Sequence, residues 1–428
     1  MTRLSGFGKW RRFRALALVF RCRRDARHLS GLPDYLLADV GLTRSQIVDA
    51  VWRSPFLRGA LTMGLGRRKR RIGRAVFPVI AMLLGGVGAA PAEDSVRIGL
   101  LFGFTGPIES MAPEIAAAAE LALREASASG LFLDGKTIRP IRADSTCIDA
   151  SLAVAAAERL VTGARIDALI GADCSGVAAA VVRGVTTPHG IVSISPTATS
   201  PGLTALEDAG LFFRTAPSDA RQGEVLAEVL GARGIDRIAV TYTANDYGQG
   251  LASAFERAYA ALGGEVAALV PHSDGKGDYA AEVATLAATG AQALLIAGYA
   301  DQGGRAIIQT ALDLDAFAQF VLPDGMVAES LLAEFGPALE GAIGTRPGSD
   351  EAAAAGFEAM LQENGVPGQA PYRAEAYDAA ALLVLAMEAA GSLKGDRIAV
   401  AMTDVANAPG VAIGPGEIAK GLQILKAG

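Results

Sequence analysis

ALIGADCSGVAAAVV (Ala168–Val182) is the stretch on which the fold turns. The first four residues carry no polar side chain and read as a strand. Small and polar residues then interrupt the run, and an Ala/Val segment reads as a helix over Val177–Val185. A short apolar strand that breaks at a small-residue turn and opens a helix is half of a βαβ unit. The same grammar recurs on both sides. Upstream, Val96–Phe102 (VRIGLLF) is a strand that ends in Gly103-Phe104-Thr105-Gly106-Pro107. A helix over Pro113–Ser129, a strand over Ile138–Ala143 and a helix over Ser151–Thr162 follow. Downstream, Ile191–Ile194 is a further strand. The pattern restarts after Arg214-Thr215-Ala216-Pro217, with strands expected at Arg237–Thr241, Glu265–Val270, Ala293–Ile296 and Phe320–Leu322 and helices between them. A second crossing is expected near Gly344-Thr345-Arg346-Pro347, followed by helices over Asp350–Asn364 and Tyr377–Ala390. The fold class is α/β, with two Rossmann-like lobes joined by a hinge.

Charge divides the chain. Residues 1–92 hold 18 basic and 4 acidic side chains, and residues 93–428 hold the other 21 and 41. The net charge of −6 hides this asymmetry. So acidic a body argues against a nucleic-acid partner. At the junction, RRKRRIGRAVFPVIAMLLGGVGAAPA (Arg67–Ala92) has a basic start, an apolar run from Ala75 to Ala89 and the small-x-small pattern Ala90-Pro91-Ala92. These are the marks of a cleaved secretory leader. The apolar run is shorter than the roughly twenty residues of a spanning helix. Translation from Met63 would place this leader, 63–92, at an N-terminus, and that reading is preferred over a fusion of a basic helical segment, 1–62. Beyond the leader stand only Cys147 and Cys174, an even pair that is either a disulfide or two buried thiols.

Catalytic motifs are lacking. His189 and His272 have no metal-ligand spacing and read as loop residues, and no metal or cofactor is expected. There is no P-loop. GADCSG (Gly171–Gly176) is not the G-x-S-x-G elbow, because its Ser is one place late. A hydrolase using Cys174 or Ser175 would lack a base within sequence reach. The strand ends are more informative, because ligands of α/β sheets sit beyond the carboxyl ends of the strands. One lobe offers Ser175 and Ser195-Pro196-Thr197-Ala198-Thr199, hydroxyls and N–H groups suited to a carboxylate, although capping by Ser175 and a turn at Pro196 would explain them equally. The other offers Asp324, Tyr299 and Asn245-Asp246-Tyr247, and the crossing carries Asp219. Carboxylates and aromatics opposite hydroxyls and amides describe a clamp for a zwitterion.

These residues also carry a resemblance. ISPTATSPGLT (Ile194–Thr204), FRTAPSDARQG (Phe213–Gly223), NDYGQGLA (Asn245–Ala252), AGY (Ala297–Tyr299) and LPDG (Leu322–Gly325) resemble the substrate-binding proteins of ABC transporters of the Leu/Ile/Val type. The resemblance runs from Val96 to about Leu425 and implies a type I periplasmic binding protein fold with three hinge crossings. It implies one lobe of residues 93–216 with 345–411 and another of 217–344 with 412–428, the second cut short because the family continues with further strands. It implies a Cys147–Cys174 disulfide. The Ser175 hydroxyl and the Thr199 N–H would take a ligand carboxylate. The Thr197 carbonyl, the Thr199 hydroxyl and Asp324 would take an ammonium, with Ala198 between them, Asp219 in support, and Tyr247 and Tyr299 as walls. Met111 stands where the family often has an aromatic, and Asp324 where Leu/Ile/Val binders carry Glu. Within residues 1–60, HLSGLPDYLLADVGLTRSQI (His28–Ile47) resembles the Arg-rich YjiS-like domain.

The implied protein is a monomeric, non-enzymatic receptor in the periplasm. It would bind an amino-acid-like ligand and hand it to an ABC permease in the inner membrane. A ligand sensor of the same fold, without transport, is the alternative.

Overall fold

The computed structural model describes residues 95–348 and 351–427. The expected leader and the basic segment before it lie outside the described residues. Two five-stranded parallel sheets organise the chain. The first lobe contains β1 Val96–Phe102, α1 Ala112–Ala128, β2 Ile138–Asp144, α2 Ala150–Glu158, β3 Ala168–Gly171, α3 Ser175–Val181, β4 Ser193–Ser195 and β5 Phe212–Arg214. The second contains α4 Asp219–Ala232, β6 Arg237–Thr243, α5 Asp246–Ala261, β7 Glu265–His272, α6 Ala280–Ala287, β8 Ala293–Ala297, α7 Gly303–Asp313, β9 Phe320–Leu322, α8 Glu329–Phe335 and β10 Ile343–Gly344. The chain ends with α9 Glu351–Glu363, α10 Arg373–Ala390, α11 Gly395–Ala406 and α12 Ile418–Ala427.

The strand orders are β2-β1-β3-β4-β5 and, from the other edge, β7-β6-β8-β9-β10. The same winding is used twice. Each sheet reverses direction beside its first strand, and a crevice opens there at the carboxyl ends. Central strands β3 and β8 are buried along their whole length, as the uninterrupted ALIG and ALLIA runs require of parallel strands covered on both faces. The very short β5 and β10 were not anticipated, since two or three residues show no period. α2 and α3 each run on into a π-helical turn, Arg159–Ala164 and Val182–Thr186. His272 is not a loop residue. It closes β7, buried, with Thr241 Oγ1 at 2.8 Å and Thr243 Oγ1 at 3.1 Å from its ring nitrogens. Burial holds its pKa down at about 4.

One expectation is corrected. The resemblance places residues 412–428 in the second lobe, but α12 docks on the first. The Ile418 N–H donates to Glu125 Oε1 at 2.8 Å, the Gly416 N–H to the Tyr377 hydroxyl at 2.9 Å, and Lys426 pairs with Asp134 at 3.0 Å. The reason is amphipathic spacing. Ile418, Leu422 and Leu425 form one stripe, which packs into the core beside α10 and α1. Among the described residues the lobes are therefore linked by two crossings, after β5 and after β10. No single helix among them is long and apolar enough to cross a membrane.

Candidate functional site

The crevices of the two lobes face each other. Across the mouth, the Asp301 N–H donates to the Pro107 carbonyl at 3.1 Å and the Ser110 N–H to Asp301 Oδ2 at 2.9 Å. Inside lies a cavity of about 40 Å³ lined by Ser175 and Thr197 from one lobe and by Tyr247, Tyr299 and Asp324 from the other. Ile108, Met111, Ile115 and Pro371 supply an apolar wall. The Met111 side chain thus reaches the cavity.

The first-lobe wall is held by a disulfide and a buried acid. Cys147 and Cys174 are bonded. Cys174 is the N-cap of α3 and, being in the disulfide, is no free thiol nucleophile. Ser175 is the first helical residue rather than the cap. Its hydroxyl, almost fully buried, accepts the Ser200 N–H at 3.1 Å and ties α3 to the loop after β4. In that loop the Thr197 hydroxyl donates to the Asp173 carbonyl at 2.7 Å and the Ala198 N–H to Ser195 Oγ at 3.0 Å. Ala198 is fully buried, with Thr197 and Thr199 on either side of it.

Asp173, 2% exposed, accepts from the Gly103 N–H, from Ser145 Oγ at 2.8 Å and from the Cys174 N–H at 3.0 Å. Burial nevertheless pushes its pKa up to about 6. Between pH 4 and 6 the folded state keeps a proton that the unfolded chain has released, so stability falls as pH rises through this window. The expected contribution of Asp173 is on the order of 3 kcal/mol. Urea midpoints at pH 4 and pH 6.5, taken for the wild type and Asp173→Asn, check this. The variant should lose that part of the slope, and equal slopes would refute it.

On the second lobe, Tyr247 and Tyr299 stack with ring centroids 5.0 Å apart. The N-cap Asn245 side chain accepts the Gly248 N–H at 3.0 Å, which fixes the start of α5 and with it Tyr247. Gly325 lets this corner close, since a Cβ there would stand 2.6 Å from the Gly298 carbonyl and 2.9 Å from the Tyr247 hydroxyl. Asp324 accepts from the Tyr247 hydroxyl at 3.0 Å and from the Tyr372 hydroxyl at 2.6 Å.

Tyr372 is a site residue that the sequence pattern does not mark. It precedes α10, with φ at 69°, and crosses from the returning chain to an acid of the second lobe. Nothing in its neighbourhood marks it except Pro371, and the left-handed backbone is unexpected for a tyrosine. Asp219 and Thr199 line not the first cavity but an adjoining one of about 120 Å³, and Tyr372 borders both. Burial raises the Asp219 pKa well above the ordinary carboxylate value, and the Asp324 charge adds to this. The Thr199 hydroxyl and the Arg214 guanidinium oppose it. Asp324 is raised too, chiefly by burial. Among the described residues no cluster of His, Cys, Asp and Glu is placed to hold a metal ion. The site can bind and orient a small polar molecule, and it presents no nucleophile–base pair.

Similarity to known proteins covers the same region. Residues 95–421 match the family described as periplasmic binding protein, and residues 6–47 match the YjiS-like domain. A leucine-, isoleucine-, valine-, threonine- and alanine-binding protein of Pseudomonas aeruginosa is 27% identical over 75% of this chain and 86% of its own length. A Leu/Ile/Val-binding protein homologue of Brucella melitensis is 30% identical over 76% of this chain and 86% of its own. The crystal structure of a leucine-binding protein from Thermotoga maritima superposes with a TM-score of 0.64 at 24% identity, covering 72% of this chain and 87% of that one, and so shares the fold.

Proposed function

The chain belongs to the periplasmic binding protein family, and on that premise we propose that it is the exported solute receptor of an ABC importer, binding one small amino-acid-like zwitterion between its lobes. The convergence of Ser175 and Thr197 with Asp324, Tyr247 and Tyr299 on one cavity carries this reading. Hydroxyl and amide donors stand on one side and a buried carboxylate on the other, which matches the two ends of an amino acid.

In this reading the ligand reaches from the first cavity into the adjoining one, and the Ser175 hydroxyl and the Thr199 N–H hold its carboxylate. The Thr197 carbonyl, the Thr199 hydroxyl and Asp324 hold the ammonium, and Ala198 keeps the two threonines at fixed spacing. Tyr247 and Tyr299 cover the ligand. The ammonium takes over the Asp324 oxygens now engaged by tyrosine hydroxyls, an exchange of neutral hydrogen bonds for charge-assisted ones. The apolar wall of Ile108, Met111 and Ile115 accepts the aliphatic part of the side chain. Binding stabilises the lobe-to-lobe contacts of Pro107 and Ser110 with Asp301, and a permease would read that closed surface. A periplasmic location, a leader at 63–92 and a monomeric state belong to the same proposal.

Thermal unfolding of the purified, oxidised protein against amino acids, amides, amines and sugars is the test. A cognate ligand at 100 times its Kd is expected to add about 2.7 kcal/mol of stability. A stabilisation confined to sugars, or none across the panel, would reject the reading.

A further inference from the structure

Each half of the contact across the cleft mouth is joined by the chain to a wall of the cavity. On the first lobe, Ser110 immediately precedes Met111, and Met111 and Ile115 line the cavity from the start of α1. On the second, Asp301 stands two residues after Tyr299. The residue between them is fixed, because the Ala300 N–H donates to the Gly325 carbonyl at 2.9 Å, beside Asp324. Asp301 is the hub. Its N–H donates to the Pro107 carbonyl and its Oδ2 accepts from the Ser110 N–H, both across the mouth, while its Oδ1 accepts from Ser330 Oγ of its own lobe at 3.1 Å. Ser330 thereby holds the carboxylate in the orientation that the first lobe meets. Arg305 does not compete for it, since its Nη2 is spent on Glu334 at 2.8 Å. The carboxylate also meets the start of a 17-residue helix, whose dipole favours negative charge there.

The lobes meet again two places along the first sheet, after β4. There Gly250 of α5 comes against Ser200 and Pro201. A Cβ on Gly250 would stand 2.9 Å from Ser200 Oγ and 3.0 Å from Pro201 Cδ. These residues belong to different lobes, so the approach exists only when the lobes are together. Neither contact point lines a cavity of the cleft.

We propose that Asp301 is a positioning residue that sets the receptor's affinity and selectivity from outside the cleft. By pinning the Ser110 end of α1 to the Tyr299 loop, it fixes Met111 and Ile115 where they meet the aliphatic part of a ligand. The inference rests on the solute-receptor reading and deepens it. Contacts made in the closed form alone act on release rather than on capture, because entry precedes closure. A wall held from both lobes also discriminates chain length, since one methylene more or less then leaves a clash or a gap.

Titration calorimetry and stopped-flow release kinetics of the purified full chain at pH 7, with the protein amino acids as probes, test this. From Asp301→Ala, the amino acid that the wild type binds best is expected to leave about tenfold faster or more, with association within a few-fold. That is the lower end for hydrogen bonds to a charged group, as suits an exposed rim. Asp301→Asn keeps an accepting oxygen for the Ser110 N–H and should lose less. Gly250→Val should speed release in the same way, from the second contact. In Asp301→Ala the preference between amino acids that differ by one methylene should shrink toward one. Urea midpoints should stay near that of the wild type, because the Ala300 bond holds the loop without the Asp301 side chain. Should Asp301→Ala not fold, Asp301→Asn and Gly250→Val carry the test. Release as slow as that of the wild type would overturn the latch and leave the receptor reading intact, and so would a loss carried by association alone. A wild type that binds no amino acid would reject both readings together.

Discussion

Asp324→Asn is expected to abolish most ligand affinity while leaving the fold as stable as before or slightly more so. The substitution keeps the shape of the side chain, removes its charge and turns one of its two accepting oxygens into a donor, to which a tyrosine hydroxyl answers by rotating to accept. Asp324 is buried at the end of β9 and is the acceptor on which Tyr247 and Tyr372 meet. Removing one partner of a buried charge pair costs about 2–5 kcal/mol, which is a loss of roughly 30-fold to several thousandfold in Kd. In the ligand-free protein the same charge is a liability, because burial has already raised its pKa. Its removal relieves that cost, in the usual opposition between a functional site and stability. Titration calorimetry with the best amino acid from the panel, paired with urea unfolding, reads both effects. Retained affinity, or a large fall in stability, would remove Asp324 from the role of ammonium partner.

Reduction of Cys147–Cys174 is the second large effect expected. The bond closes a separation of 27 residues. The loop-entropy relation puts the cost of opening a loop of that length at about 3–4 kcal/mol. The consequence extends beyond stability, because Cys174 adjoins Asp173 and Ser175, and Cys147 follows the Ser145 that bonds to Asp173. Ligand affinity should therefore fall along with the unfolding midpoint when dithiothreitol is present. Equal midpoints for oxidised and reduced protein would show that the bond carries no stability.

The strand-and-turn grammar made the two lobes legible. ALIG and ALLIA are buried parallel strands because nothing in them tolerates water, and the residues after them fall at the cleft because parallel sheets put every carboxyl end on one side. Ser175, Thr197, Tyr247, Tyr299 and Asp324 meet at one cavity for that reason. What failed to show was whatever depends on the chain coming back. Tyr372 lies between two helices and reaches the cleft only because α10 returns to the first lobe. Its φ of 69° has no local cause in the sequence. The last segment failed differently. Its apolar stripe at Ile418, Leu422 and Leu425 is a readable helix signal, but the resemblance implies returning strands of the second lobe there. The division of the site into two chambers was invisible, since Thr197 and Thr199 are two residues apart and face different ones.

The docking of α10 and α12 onto α1 also sets an order of events in the life of the chain. Glu125 accepts from the Tyr377 hydroxyl and from the Ile418 N–H, partners 252 and 293 residues later. The second lobe is one uninterrupted stretch and can close as soon as it is made. The first lobe begins earlier and is finished last, after the whole second lobe has been synthesised. Until then α1, whose buried residues include Ile115, Ala119, Ala122 and Leu123, lacks its packing against α10. Such a polypeptide keeps its first lobe incomplete until the end of its synthesis, a state that a chaperone recognises.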